Sequence, residues 1–331
     1  MKKTIAIYLF MVFLSGCVEE FDLDLDQAEP RLVVEGLITN QPGPYYIRLT
    51  ESHTGGLIKT DHSPTGVDSA KAVMNAQIII YDDAGQIDTL VPIDVDINEY
   101  DYDPLGGYYK LVYDNSGNII DTLFLTDPRE FRHDRGFYKT QHFVGIPGRT
   151  YFITIRSKGK EYLASDYMHP VPDIDSLGYM KKIREKDGQE YYIPLLYFSE
   201  PQGIDNFYLI QLDDEVFSRG WPAAFSWRFS ILSDKYLQPY VNGLNVSLGE
   251  NPGGIEYDYY WQGATIYLAL SSLSKNAYEF YRSLLQQFKN DGGAYKPCPA
   301  SPPTNISNGG LGYFRASAIS ESEVQIPFTF K

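Results

Sequence analysis

Cysteine is nearly absent from this chain: two in 331 residues, Cys17 and Cys298. A cysteine-based metal site is therefore excluded, since structural zinc takes four ligands. Basic residues are scarce too, 28 Lys plus Arg against 43 Asp plus Glu, a net charge of −15. That surface repels phosphate backbones, so nucleic acid is not expected as a partner. It also disfavours electrostatic adhesion to anionic lipid. The five histidines, His53, His62, His133, His142 and His169, form no H-E-x-x-H pair. No G-x-S-x-G elbow or Walker loop occurs either. Nothing here points to an enzyme, and no cofactor is expected.

What is present at the amino terminus reads as an export signal. Lys2 and Lys3 precede the apolar run Ile5–Leu14. That run is too short to span a bilayer, which takes about 20 apolar residues. Leu14-Ser15-Gly16-Cys17 follows and resembles the bacterial lipobox. The resemblance implies a diacylglyceryl thioether on Cys17, cleavage before it, and acylation of the new amino group. Cys17 is thus the expected lipidation site, and the lipid bilayer a partner through it. Cys298 then has no intramolecular partner, so the fold forms without disulfides. Cleavage removes Lys2 and Lys3, with no acid in residues 1–16, and leaves a mature charge of −17. Val18 in place of aspartate favours the outer membrane. Glu19, Glu20, Asp22, Asp24 and Asp26 resemble the acidic export signal of Bacteroidota surface lipoproteins, which implies display on the cell surface. As a block of like charge they also read as a solvated tether.

Beyond residue 30 the periodicity is of strand type, with Tyr, Val, Ile and Phe in short runs between Gly, Asp, Asn and Pro. The fold class expected is mainly β: an N-terminal immunoglobulin-like β-sandwich, then a second β-rich domain carrying one amphipathic α-helix. The boundaries expected are 1–16 signal peptide, 17–29 acidic tether, 30–169 first domain and 170–331 second domain. His169-Pro170-Val171-Pro172-Asp173 marks the junction, because proline cannot donate to a ladder. Lys158-Gly159-Lys160 reads as a tight hairpin turn. Tyr81-Asp82-Asp83-Ala84-Gly85 with Ile87-Asp88-Thr89-Leu90 is echoed by Tyr113-Asp114-Asn115-Ser116-Gly117 with Ile120-Asp121-Thr122-Leu123. Both read as strand–turn–strand units. Ala277, Tyr278, Tyr281, Leu284, Leu285 and Phe288 follow helical spacing near 275–290, with Ser274 as N-cap and Gly292-Gly293 as stop.

Three patterns bear on ligands or modification. Asp94, Asp96 and Asn98 resemble the opening of a calcium loop, but Glu99 stands where glycine belongs and Leu105 where glutamate belongs. Four Asp–hydroxyl–apolar triplets resemble the Bacteroidota O-glycosylation acceptor, placing candidate sites at Ser69, Thr89, Thr122 and Ser176. Tyr257, Tyr259, Tyr260 and Trp261 offer either a stacking platform for a sugar or peptide or ordinary core filling. The small-molecule, peptide or glycan ligand itself is not readable.

Leu32-Val33-Val34-Glu35-Gly36-Leu37-Ile38-Thr39, Pro170-Val171-Pro172-Asp173-Ile174-Asp175 and Asn305-Ile306-Ser307-Asn308-Gly309-Gly310-Leu311-Gly312-Tyr313-Phe314 together resemble a Bacteroidota outer-membrane lipoprotein family, domain of unknown function 4249. The match is loose at Ala294-Tyr295-Lys296-Pro297-Cys298, where the family has an Asn-Pro-Phe-like turn. The resemblance implies a non-enzymatic accessory or substrate-capture lipoprotein whose partner is a TonB-dependent β-barrel receptor. A stand-alone surface adhesin or envelope scaffold is the alternative. From the residues alone, 305–314 reads as a glycine-rich turn into a strand that closes the second domain on its helix.

Overall fold

The computed structural model describes residues 29–52, 71–93, 100–103, 107–114, 116–125, 136–185, 188–214, 229–246, 260, 262–289 and 301–328. Every element named here belongs to the unit Arg31–Ser52 with Ser69–Lys331. The chain runs β1 (Leu32–Thr39), β2 (Tyr46–Glu51), β3 (Gln77–Asp82), β4 (Ile87–Thr89), β5 (Val91–Pro92), β6 (Asp101–Asp103), β7 (Gly107–Tyr113), β8 (Ile119–Leu125), β9 (Phe137–Lys139), β10 (Thr150–Ser157) and β11 (Lys160–Tyr167). It continues with β12 (Ile174–Ile183), β13 (Glu190–Ser199), β14 (Phe207–Asp214), β15 (Phe229–Ser233), β16 (Tyr240–Asn245), β17 (Thr265–Leu273), α1 (Lys275–Lys289), β18 (Leu311–Ser317) and β19 (Ile319–Gln325). The architecture is mainly β with a sandwich-like arrangement, as the sequence pattern requires.

Two pairs of sheets enclose two cores. Sheet β18-β1-β2-β9-β5 faces sheet β11-β10-β3-β4. Val34, Ile38, Ile47 and Leu49 from the first meet Ile78, Ile80, Ile153 and Ile155 from the second. Within each strand these residues sit two or four apart because successive strand side chains point to opposite faces. Sheet β12-β13-β16 and sheet β15-β14-β17-β19 share a second core of Leu196, Phe198, Tyr208, Ile210, Leu268 and Leu270. Val171, from the proline-bearing junction, packs against both cores. The hairpin between β10 and β11 turns on Lys158 and Gly159 alone, with φ of 49° and 73°. Two successive positive φ values give the turn whose twist matches the strands.

The helix forms where expected. The Ala277 amide bonds Ser274 Oγ at 3.2 Å, so Ser274 caps it. Its apolar side covers Leu209, Phe229 and Leu273 on the outer face of the second sandwich. Phe280 joins that contact although it lies off the stripe read from the sequence. Gly292 and Gly293 lie outside the described residues.

The turn at 305–310 behaves differently from the sequence reading. It leads into β18, which enters the first sheet parallel to β1, from Val33↔Leu311 to Thr39↔Ser317. The strands of the two sandwiches therefore divide at the 169–173 junction, except that β18 crosses back. Its free edge is sealed by side chains. Asn305 accepts from the Phe314 amide at 3.0 Å and donates to the Phe314 carbonyl at 2.7 Å. Asp166 Oδ2 accepts from the Ala316 amide at 2.9 Å, and Ser272 Oγ from the Ala318 amide at 3.0 Å. Three side chains thus replace the next strand, which removes an edge that would otherwise pair with another chain.

Sealing the edge places Asp166 in the interior, 6 % exposed. Burial pushes its carboxyl up from 3.8 to about 6, against the Ser274 hydroxyl, the Ala316 and Tyr167 amides and the Arg315 charge. Because the folded-state value is raised, the stability linked to this group is full below about pH 4 and is lost as pH rises through about 6. Burial raises Glu200 likewise, against the Asn206 and Tyr208 hydrogen bonds. Asp82 opposes them: burial raises it, but the Arg149 guanidinium and the Gln86 and Ala84 amides outweigh that and lower it. Asp166→Asn keeps an acceptor for Ala316. It is expected to abolish a loss of about 3 kcal/mol between pH 4 and 7 relative to the unchanged protein. Urea denaturation of both proteins at the two pH values measures this.

Candidate functional site

The internal echo in the sequence is two copies of one hairpin. In the first, Asp82 Oδ1 accepts from the Ala84 amide at 3.0 Å and the Gln86 amide at 2.8 Å. In the second, Asp114 Oδ1 accepts from the Ser116 and Asn118 amides, both at 2.8 Å. Gly85 and Gly117 take φ of 90° and 83°, values that favour glycine. Backbone bonds match as well: Gly85 and Gly117 donate to the Asp82 and Asp114 carbonyls. The second copy has one extra residue. Tyr81↔Ile87 and Ile80↔Asp88 correspond to Tyr113↔Ile119 and Val112↔Asp121, so Ile120 is absorbed as a β-bulge.

The two copies differ in what covers them. β3 and β4 are part of the first sandwich. Asp88 is buried, and its Oδ2 accepts from the amides of Gln141, His142 and Phe143 at 2.8, 2.8 and 3.1 Å. Gln86 donates to the Val144 carbonyl at 2.9 Å and accepts from the Val144 amide at 2.8 Å. The segment 141–144, which bends at Gln141 and His142, is thus tied to β4 through Asp88 and Gln86, and Leu90 is 4 % exposed. The second copy sits in the separate three-stranded sheet β6-β7-β8. There Asp121 is exposed and, among the described residues, accepts from the Thr122 amide at 2.8 Å. Ile119, Ile120 and Leu123 are 56 %, 64 % and 45 % exposed. The same hairpin is thus built twice, covered at Asp88 and Leu90 in the first copy and open at Asp121 and Leu123 in the second, while Ile87 and Ile119 are both exposed. Apolar groups on an open strand mark a surface that another chain can cover.

The sequence-derived sites fall in different places. Thr89 is exposed at the end of β4, but its triplet's aspartate is Asp88, already bonded to three amides. Thr122 lies half-buried in β8. Ser176, beside exposed Asp175, is exposed in β12 just after a register shift. These three sit on separate sheets and form no common site. Cys17, Ser69, Asp94, Asp96 and Asn98 lie outside the described residues. Among the described residues no group of three His, Cys, Asp or Glu side chains is placed to hold a metal. Tyr260 is a core residue: it is 5 % exposed and bridges Tyr192 through paired backbone bonds of 3.0 and 3.4 Å. Its companions Tyr257, Tyr259 and Trp261 lie outside the described residues. The open hairpin was marked in the sequence only as a repeat, since exposure depends on which sheet receives each copy.

A comparison with curated proteins found no match. The family model described as Domain of unknown function (DUF4249) matches residues 18–323, and the chain belongs to that family.

Proposed function

We propose that the protein is a lipid-anchored outer-membrane lipoprotein, displayed at the cell surface, that serves as a non-enzymatic accessory or substrate-capture component of a TonB-dependent β-barrel receptor. The observation that carries this reading is the open β7–β8 hairpin. Its covered twin indicates what such a hairpin accepts: a bent segment whose successive amides are directed at an aspartate of the outer strand. Asp121, Ile119, Ile120 and Leu123 offer that arrangement to a loop of the barrel. The lipobox ending at Cys17 supplies the anchor that keeps the two proteins in one membrane.

The test is affinity purification from crosslinked outer membranes, comparing the unchanged protein with an Ile120→Asp/Leu123→Asp variant. One integral barrel is expected to copurify. The variant is expected to recover at least about tenfold less of it, as for the loss of central apolar contacts, with its thermal midpoint unchanged. Extraction of the unchanged protein alone would defeat the reading. The stand-alone adhesin or scaffold is the second reading. Tyr236 and Tyr240, both exposed, favour it as rings on which a sugar can stack. It predicts glycan binding and transport unaffected by deletion.

A further inference from the structure

Sheet β12-β13-β16 has an outer face, turned away from the second core. In β13, Leu196 and Phe198 belong to that core, so Leu195 and Tyr197 point outward. Leu177 and Val241 fix the two faces of β12 and β16 in the same way. The positions paired with Tyr197 are Ser176 and Asn242, and those paired with Leu195 are Gly178 and Asn245. Gly243, with φ of 75°, is the extra residue that shifts the register of β16 between them.

The two glycines decide how Tyr197 lies. A Cβ at Gly243 would meet the Tyr197 hydroxyl at 3.2 Å and Cε1 at 3.5 Å. One at Gly178 would meet Cε2 at 3.4 Å and the same hydroxyl at 3.9 Å. A ring standing out from the sheet would carry its hydroxyl clear of both positions. The Tyr197 ring therefore lies along the sheet, one face against the backbone and the other turned outward, and the residue is half-buried.

The rim of this ring is polar and uncharged. Ser176, Asn242 and Asn245 are exposed, and Tyr240 on the same face of β16 is 47 % exposed. Among the described residues, the Tyr197 and Ser176 hydroxyls and the Asn242 and Asn245 amides have no hydrogen-bond partner. An asparagine amide both donates and accepts, as a hydroxyl does. Such groups suit ligand hydroxyls, which do the same. Asp175, exposed beside Ser176, disfavours an anion. A flat ring rimmed by amides thus matches a neutral molecule that is apolar on one face and hydroxylated around its edge. A pyranose has that form.

We propose that this face binds a neutral glycan, with one pyranose ring stacked on Tyr197 and its hydroxyls bonded to Asn242 and Asn245. The site lies on a different sheet from the β7–β8 hairpin. It stands whether the chain serves a barrel receptor or acts alone.

The experiment is affinity electrophoresis of the mature, lipidated chain through native gels containing dextran, mannan or galactan, in a polyoxyethylene detergent that carries no sugar. Retardation that grows with the concentration of at least one polysaccharide is expected. Tyr197→Leu keeps an apolar cover over Gly178 and Gly243 but removes the ring. It is expected to weaken binding about tenfold, the upper worth of a ring stack. Asn242→Ala changes one exposed side chain at the sheet edge. It is expected to weaken binding about fivefold, the worth of one hydrogen bond, and remains decisive should Tyr197→Leu fail to fold. Retardation by none of the three polysaccharides would overturn the proposal. Retardation equal in the unchanged protein and in Asn242→Ala would overturn it as well, by placing the glycan elsewhere.

Discussion

Cys17→Ser is expected to release the protein from membranes altogether. Thioether formation needs the cysteine sulfur, and serine oxygen does not replace it. Each buried methylene of an acyl chain contributes about 0.8 kcal/mol, and two or more chains make a lasting anchor. The apolar run Ile5–Leu14, which stays on the chain when cleavage waits for the lipid, is too short to span a bilayer. The chain's net charge of −15 is repelled by anionic headgroups. Among the described residues no helix is long and apolar enough to cross a membrane. Fractionation with labelled palmitate checks this. The unchanged protein should carry label and sediment with membranes, and the variant should do neither. A variant that still sediments, unlabelled, after a carbonate wash would show that something other than Cys17 holds it.

The second large effect is expected at Gly312, where β18 is threaded beside β1. Gly312 has φ of 82°, and a Cβ there would lie 2.1 Å from the Val34 carbonyl oxygen. Val34 is its register partner and is fully buried, so neither strand can give way without moving core residues. Gly312→Ala combines left-handed backbone strain with that collision and should cost about 3 kcal/mol or more. Gly309→Ala is the matched reference. Its φ is 73°, and a Cβ there meets nothing within 4 Å. Only the conformational term of about 1 kcal/mol should appear. Denaturation of the two variants separates strain from close approach. Equal losses would mean that β18 does not sit in the first sheet as described.

That parallel pairing marks where the sequence stopped being readable. Local chemistry was legible: the Lys158-Gly159 turn, the Ser274 cap and the two aspartate-headed turns follow from residues within a few positions of one another. The alternation of Ile78, Ile80 and Asp82 announced a strand with one buried face. What was not legible is long-range. Leu311–Ser317 has no alternation at all, because Phe314 and Ala316 meet one core while Tyr313, Arg315 and Ser317 face the helix. Its partner β1 lies more than 270 residues earlier. Arg315 and Asp166 are equally far from any shared motif, and their burial follows from where β18 lands. The open hairpin was legible as a repeat and not as a surface. Asp88 and Asp121 stand in like triplets, yet one is sealed by residues 141–143 and the other is exposed.

The most direct measurement is photo-crosslinking in outer membranes, with a crosslinkable residue at position 120 on the open hairpin or at position 87 on its covered twin. Ile120 and Ile87 are 64 % and 68 % exposed, so accessibility alone does not separate them. The transporter reading predicts a single β-barrel adduct from position 120 and little or none from position 87. Adducts of equal yield from both positions, or none from position 120, would contradict it.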